Sequence, residues 1–174
     1  TTASAKYFAL QNCEFTATAT NMNFLNIIDT GTTTSNNDGL FCDRNTWIEP
    51  DTATLQFCKM DAITDNVTFT NNYLNLGVNN NTPALMAIAT GKKVTSINCQ
   101  NNRIYRLNTD TATGAILITT DVATNTGLIV NNYIQHADTA AELIVTATSG
   151  FGFFDNKMSG VAGASGYLLP AADS

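Results

Sequence analysis

The pairs Asn71-Asn72, Asn101-Asn102 and Asn131-Asn132 stand 30 residues apart, each followed by one variable and one apolar residue. The surrounding segments read DNVTFTNNYL from Asp65, VTSINCQNNRI from Val94 and TGLIVNNYI from Thr126. Weaker copies are FALQNCEF from Phe8, LFCDRNTW from Leu40 and FGFFDNKM from Phe151. Aligned on their last apolar residue they end at Phe15, Trp47, Leu74, Ile104, Ile134 and Met158, in steps of 32, 27, 30, 30 and 24. A period near 30 over six copies demands a repeat architecture.

Within each copy the apolar positions alternate. One column is Phe8, Leu40, Val67, Ile97, Gly127 and Phe151, and two residues on comes Leu10, Cys42, Phe69, Cys99, Ile129 and Phe153. Period two predicts a strand with one buried face. The alternation stops at the Asn pair. Asn tolerates left-handed backbone and bonds its own main chain, so it suits a tight bend. One inward residue follows, the Phe15/Trp47 column.

A second strand lies between copies: NFLNIID at Asn23, TLQFCKM at Thr54, ALMAIAT at Ala84, AILITTD at Ala115 and ELIVTAT at Glu142. Its expected inward pairs are Leu25/Ile27, Leu55/Phe57, Leu85/Ala87, Ile116/Ile118 and Leu143/Val145. Gly31, Gly91 and Gly150 follow three of these strands as turn residues. Thr, Val, Ile and Asn dominate where helix formers would be needed for a helix.

Repeats of this kind without crossover helices stack as coils, with equivalent strands in parallel sheets. The pattern resembles the right-handed parallel β-helix of pectate-lyase-like proteins, in which an Asn at a tight turn often stacks from coil to coil. The resemblance implies a ladder of Asn45, Asn72, Asn102, Asn132 and Asn156, with Cys13 in the equivalent place of the first copy. It covers about residues 6–158 and concerns repeat pattern and fold; it carries no catalytic signature. The expected fold is all-β: a single-stranded right-handed parallel β-helix of about six coils. Residues 1–5 form an extended lead-in, 6–158 the β-helix and 159–174 an apolar C-terminal cap or docking arm. In that tail Tyr167, Leu168 and Leu169 are expected against apolar surface, across the last coil or on a neighbour.

A chain of 174 residues suffices for one domain with a real core. Six coils give a stack about 25–30 Å tall, short for this fold. Charged residues are 13% of the chain and net charge is −6, with Lys92-Lys93 the one adjacent basic pair, so a nucleic-acid partner is not expected. No apolar run is long enough to span a membrane. Cys13, Cys42, Cys58 and Cys99 have no zinc-like spacing, and Cys42 and Cys99 lie two coils apart, too far for a disulfide. Reduced core cysteines are expected, as in a chain folded in a reducing cytosol. Thr1 is not a methionine and the first coil begins at full pattern with no cap, so a processed chain, part of a longer one, or a covering neighbour is expected.

No catalytic, cofactor or metal site emerges. Glycoside chemistry needs paired carboxylates, but Asp29, Asp61 and Asp121 share no column. Lys59 with Asp61, and Asp43 with Arg44, read as exposed pairs of little weight, Asp155 as a turn residue, His136 as a surface residue and Trp47 as core. Three polar loops, 32–38, 77–82 and 107–114, are either solvated connections or binding surface. Tyr73, Arg103 and Tyr133 should form an outward stripe, the best candidate contact face for sugar or protein.

The short stack, uncapped start, absent catalytic cluster and low-charge surface resemble the β-helical modules of bacteriophage virions: head decoration proteins, tail fibres and tailspikes. That resemblance implies a non-enzymatic virion structural protein, assembled in the host cytoplasm and associating with other virion proteins and with itself, a trimer above all. Two alternatives stand beside it: a carbohydrate-active β-helix enzyme with an intersubunit site, and a glycan-binding adhesin.

Overall fold

Alternating apolar residues and recurring bend residues produce short strands, and the strands pair by repeat. The computed structural model describes residues 7–16, 23–28, 37–48, 56–61, 64–76, 86–88, 94–106, 116–118, 126–135, 143–145, 151–159 and 167–168. Every strand pairing among them is parallel.

Three sheets result. The entry sheet holds the strands that run into the Asn bend: β1 (Phe8–Gln11), β4 (Asn37–Asp43), β7 (Thr64–Thr70), β11 (Ile97–Gln100), β14 (Gly127–Val130) and β17 (Phe151–Phe154), with β10 (Val94–Thr95) also on β7. The exit sheet holds the strands that leave it: β2 (Glu14–Thr16), β5 (Thr46–Ile48), β8 (Tyr73–Leu76), β12 (Arg103–Arg106), β15 (Tyr133–Gln135) and β18 (Lys157–Ser159). The third sheet holds β3 (Asn23–Ile28), β6 (Gln56–Asp61), β9 (Met86–Ile88), β13 (Ile116–Ile118), β16 (Leu143–Val145) and β19 (Tyr167–Leu168). In each sheet the strand order follows the order of the repeats. This is an all-β architecture compatible with a parallel β-helix.

The register reproduces the sequence columns on both sides of the bend. Leu10, Cys42, Phe69, Cys99, Ile129 and Phe153 are successive partners on the entry sheet. Phe15, Trp47, Leu74, Ile104, Ile134 and Met158 are successive partners on the exit sheet. Their central members, with Leu40, Val67 and Ile97 from the Phe8 column, make the core: Cys42, Trp47, Phe69, Leu74, Cys99, Ile104, Ile129 and Ile134 are buried with them. Burying one such aliphatic or aromatic side chain stabilises by roughly 1.5–3 kcal/mol. Phe8, which no described strand covers on its outer side, is 43% exposed.

The third sheet departs from expectation. Its partners are Leu25, Cys58, Met86, Ile116 and Leu143 in one column, and Ile27, Met60, Ile88, Ile118 and Val145 in the next. Cys58 is completely buried. Cys58 is thus a buried residue of β6 in the phase opposite to the expected inward Phe57; Leu55 and Leu85 of the expected pairs lie outside the described residues. Both phases of these segments are apolar, so alternation could not choose between them. The tail residues Tyr167 and Leu168 add one more rung, opposite Leu143 and Ile144.

All four cysteines are free. Burial pushes the Cys42 thiol up to about 12, with Cys13 adding to the rise. Burial likewise takes Cys99 to about 12 against the lowering effect of its bond from Asn102, and drives Cys58 well above the ordinary thiol value, with Cys42 adding to it. These thiols stay protonated and serve as packing.

The loops 77–82 and 107–114, most of loop 32–38, and Gly31, Leu55, Leu85, Gly91, Lys92, Lys93, His136, Gly150 and Leu169 lie outside the described residues. Among the described residues no helix is long and apolar enough to cross a membrane.

Candidate functional site

The bend that joins entry and exit sheets is built from two columns of adjacent residues with opposite duties. The first column, Asn12, Arg44, Asn71, Asn101, Asn131 and Asp155, is left-handed throughout, with φ between 52° and 56°. Asn and Asp enter that region at low cost because their short polar side chains bond locally. The amide N–H of each of the first five donates to the entry strand of the following repeat: Asn71 to Gln100 O at 3.1 Å, Asn101 to Val130 O at 3.2 Å. Two residues on, the N–H donates back: Tyr73 to Asn45 O at 2.8 Å, Arg103 to Asn72 O at 2.8 Å. The chain thus turns a corner without orphaning these backbone groups.

The second column is the ladder. Asn45, Asn72, Asn102 and Asn132 are buried. Asn72 Nδ2 donates to Asn102 Oδ1 at 2.9 Å, Asn102 Nδ2 to Asn132 Oδ1 at 2.9 Å, and Asn132 Nδ2 to Asn156 Oδ1 at 2.9 Å; Asn45 Nδ2 begins the row on Asn72 Oδ1 at 3.0 Å. The second amide proton of each reaches back to a main-chain carbonyl of the preceding repeat: Asn45 to Leu10, Asn72 to Cys42, Asn102 to Phe69, Asn132 to Cys99 and Asn156 to Ile129. Each Oδ1 also accepts the main-chain N–H of the residue before it in the ladder. A side-chain amide offers two donors and one oxygen with two lone pairs. In Asn72, Asn102 and Asn132 all four are used within the protein, so the ladder residues hold the corner together. Cys13 occupies the ladder position of the first repeat through its N–H alone, bonded to Asn45 Oδ1 at 3.1 Å.

A further left-handed column went unread in the sequence. Gly39 (φ 81°), Asn66 (φ 54°) and Ser96 (φ 53°) follow residues paired across neighbouring strands and lie just before the inward positions Leu40, Val67 and Ile97. Gly, Asn and Ser share little but small size, so the column has no residue signature. Ser96 separates β10 from β11.

On the outer side of the bend the exit strands carry a groove of about 650 Å³. Its lining includes Tyr73, Arg103, Tyr105, Tyr133 and Lys157, with the bend amides Asn71, Asn101 and Asn131 along one edge. The expected stripe is real in register: Tyr73 pairs with Arg103, Arg103 with Tyr133, and Tyr133 with Lys157. Tyr105 was expected as an exposed aromatic of the adhesin alternative but not as part of the stripe, and Lys157 was not singled out in the sequence. Lys157 was reachable by carrying the same column one repeat further. Tyr105 lies two residues beyond Arg103, on the same face of β12, and its ring joins the stripe into a run. The Tyr73 and Tyr105 centroids are 5.4 Å apart with planes at 45°, and those of Tyr105 and Tyr133 are 6.0 Å apart at 54°. These are the tilted geometries aromatic quadrupoles favour. Tyr73, Arg103 and Lys157 are exposed, and Tyr105 and Tyr133 half-buried. Among the described residues no carboxylate pairs with Arg103 or Lys157. Asn131 Nδ2 donates to Asn101 Oδ1 at 2.7 Å, which fixes the amide edge.

The Asp43–Arg44 pair is less exposed than its sequence implied. Arg44 Nε lies 3.1 Å from Asp43 Oδ2, but the Asp43 side chain is only 9% exposed. Asp43 Oδ1 accepts from Asn71 Nδ2 and from Thr70 Oγ1, each at 2.9 Å. The bond from Asn71 is the largest influence holding its carboxyl below the usual range; burial opposes it, and Thr70 and Arg44 add to the lowering. This acid is spent on the bend. Asp155 is a bend residue, as expected, and Trp47 is core. Among the described residues no three His, Cys, Asp or Glu side chains converge as a metal site would require. No family model matches this chain, and neither the curated proteins nor the solved structures contain a match.

Proposed function

We propose that this chain is a non-enzymatic structural module: a right-handed parallel β-helix of about six coils that works by rigid presentation and association. The supporting observation is the closed amide ladder. Asn side chains at the corner of each repeat after the first bond to one another and to the main chain, and a satisfied buried network stiffens the scaffold. The short stack and the low-charge, Thr/Asn/Ala-rich composition, which resemble capsid decoration and fibre modules of bacteriophage virions, motivate the placing of this module in such a particle, as a homo-oligomer with three copies favoured. Solenoids of this kind offer long, regular surfaces for docking.

Density-gradient sedimentation of the source material, followed by mass spectrometry of the fractions, tests the reading. The protein should band with a large particle at a fixed copy number relative to a major shell or tail protein. If it remains at the top of the gradient as a small species, the virion reading fails. The aromatic and cationic groove favours a second reading, a glycan-binding adhesin, because tyrosine rings beside amides and cations suit a sugar chain.

A further inference from the structure

The geometry points to the groove of β8, β12, β15 and β18 as a binding site for an anionic polysaccharide, with Arg103 and Lys157 on its acidic groups and Tyr73, Tyr105 and Tyr133 under its rings. This rests on the glycan-binding reading and deepens it by naming the ligand's charge and the residues that read it.

Three observations carry the assignment. The first is charge against background. The chain as a whole carries a net charge of −6, yet the groove gathers Arg103 and Lys157, and no described carboxylate pairs with either. Asp155 is the acid nearest in sequence; it lines a second opening beside Lys157 and makes no ion pair with it. An unpaired guanidinium presents a planar fork matched to carboxylate or sulfate oxygens.

The second is the run of aromatic rings. Three tyrosines from three successive repeats form a continuous series along the stacking direction, with centroid separations of 5.4 and 6.0 Å. That direction suits a linear ligand, whose successive units would meet equivalent surfaces. Tyrosine offers an apolar face and a polar tip, the combination that recurs at wet recognition surfaces. The C–H faces of a pyranose fit the ring faces, and its hydroxyls fit the phenol oxygens.

The third is the fixed polar edge. Asn71, Asn101 and Asn131 are held in left-handed backbone, and their side chains are braced by Asp43 Oδ1 and by the Asn131–Asn101 bond. Donors and acceptors fixed before a ligand arrives lose little entropy when it binds. An acidic peptide would use the cations but would not need a ladder of rings, so the sugar chain is favoured.

The test is binding of the intact chain to four polymers by calorimetry: alginate (carboxylate), dextran sulfate (sulfate ester), neutral dextran and poly-glutamate. Binding to alginate or to dextran sulfate is expected, weaker at high salt, with little to dextran or poly-glutamate; which of the two is bound identifies the anionic group. Arg103→Gln should weaken it at least about tenfold, as loss of a charge-assisted bond does. Tyr105→Leu should weaken it similarly, whereas Glu14→Gln, at the far end of the exit sheet, should leave it within about twofold. Circular dichroism of each variant checks the fold, and Lys157→Gln replaces any variant that loses it. Equal binding of poly-glutamate overturns the proposal in favour of charge alone. Equal binding of dextran removes the anionic assignment while leaving the glycan-binding reading intact. Binding to none of the four, or loss of binding in no variant, removes the site.

Discussion

Asn102 Nδ2 lies 2.9 Å from Asn132 Oδ1, and in the same rung Asn102 Oδ1 receives both the N–H and the Nδ2 of Asn72. Removing this one amide takes the acceptor from two buried donors of Asn72, and one donor each from the oxygen of Asn132 and the carbonyl of Phe69. Each buried group left without a partner costs about 1–3 kcal/mol. Asn102→Ala should therefore destabilise by at least about 3 kcal/mol in urea titration. Asn102→Asp should be worse at neutral pH. A buried carboxylate has its pKa raised in the folded state, so this variant should regain stability as pH falls. A midpoint independent of pH would argue against the closed ladder.

The ladder can be lengthened. Cys13 already donates its N–H to Asn45 Oδ1 but brings no amide to the row. Cys13→Asn should add the missing side-chain bond and raise stability by about 1 kcal/mol. The thermal midpoint reads this directly; an unchanged or lower midpoint would mean that the first repeat lacks the backbone geometry of the others.

Two glycines on neighbouring strands should respond differently to the same substitution. A Cβ on Gly127 would come within 2.7 Å of both Ile97 Cβ and the Ile97 carbonyl oxygen, and within 3.1 Å of the Phe151 ring. The main chain cannot yield there, so Gly127→Ala should cost about 1–3 kcal/mol. A Cβ on Gly152 would meet only the ends of the Phe154 and Leu128 side chains, at 2.8 and 2.9 Å. Both are exposed and can turn away, so Gly152→Ala should cost much less. Denaturation midpoints of the two variants side by side decide it.

Asp43 supplies an acid-sensitive contact. Its bonds from Asn71 and Thr70 and its contact with Arg44 favour the charged form, so its folded pKa lies below the ordinary value of 3.8. A lowered pKa means that the contribution is complete above the unfolded value and is lost as pH falls through the folded one. The thermal midpoint should decline below about pH 4 in the wild type. Asp43→Asn, which cannot be protonated, should flatten that limb; a limb of the same steepness would assign the acid sensitivity elsewhere.

Asn98 sits on the outward face of β11 with its Oδ1 enclosed and without a hydrogen-bond partner among the described residues. Its strand neighbours are Thr68 and Leu128. Asn98→Val removes the unpaired oxygen and suits a strand, and should stabilise by up to about 1 kcal/mol in urea titration.

What could be read from the chain depended on how strongly each face contrasted with the other. On the entry strands Cys99 and Ile97 alternate with Asn98 and Gln100, so the phase was plain and the register followed from it. On β6 Phe57 neighbours Cys58, and on β9 Ala87 lies between Met86 and Ile88. There an apolar residue lies on either phase, and only pairing with the strands beside them fixes the choice. The bend was legible because Asn recurred at it. The Gly39, Asn66 and Ser96 column was not, because three residue types meet one backbone requirement. The groove was half legible: Tyr73, Arg103 and Tyr133 follow from column arithmetic, but the meeting of the Tyr105 ring with its neighbours depends on side-chain directions that spacing does not give.

The interval between ladder residues varies from 32 to 27, 30, 30 and 24 positions, while the amide contacts hold at 2.9–3.1 Å. The corner therefore measures nothing of what lies between one visit and the next. Peptide can be gained or lost on the far side of a repeat, and the next asparagine still finds its place. Length is thus decoupled from register: the spacing of the corner is set by the amides and not by the number of residues between them.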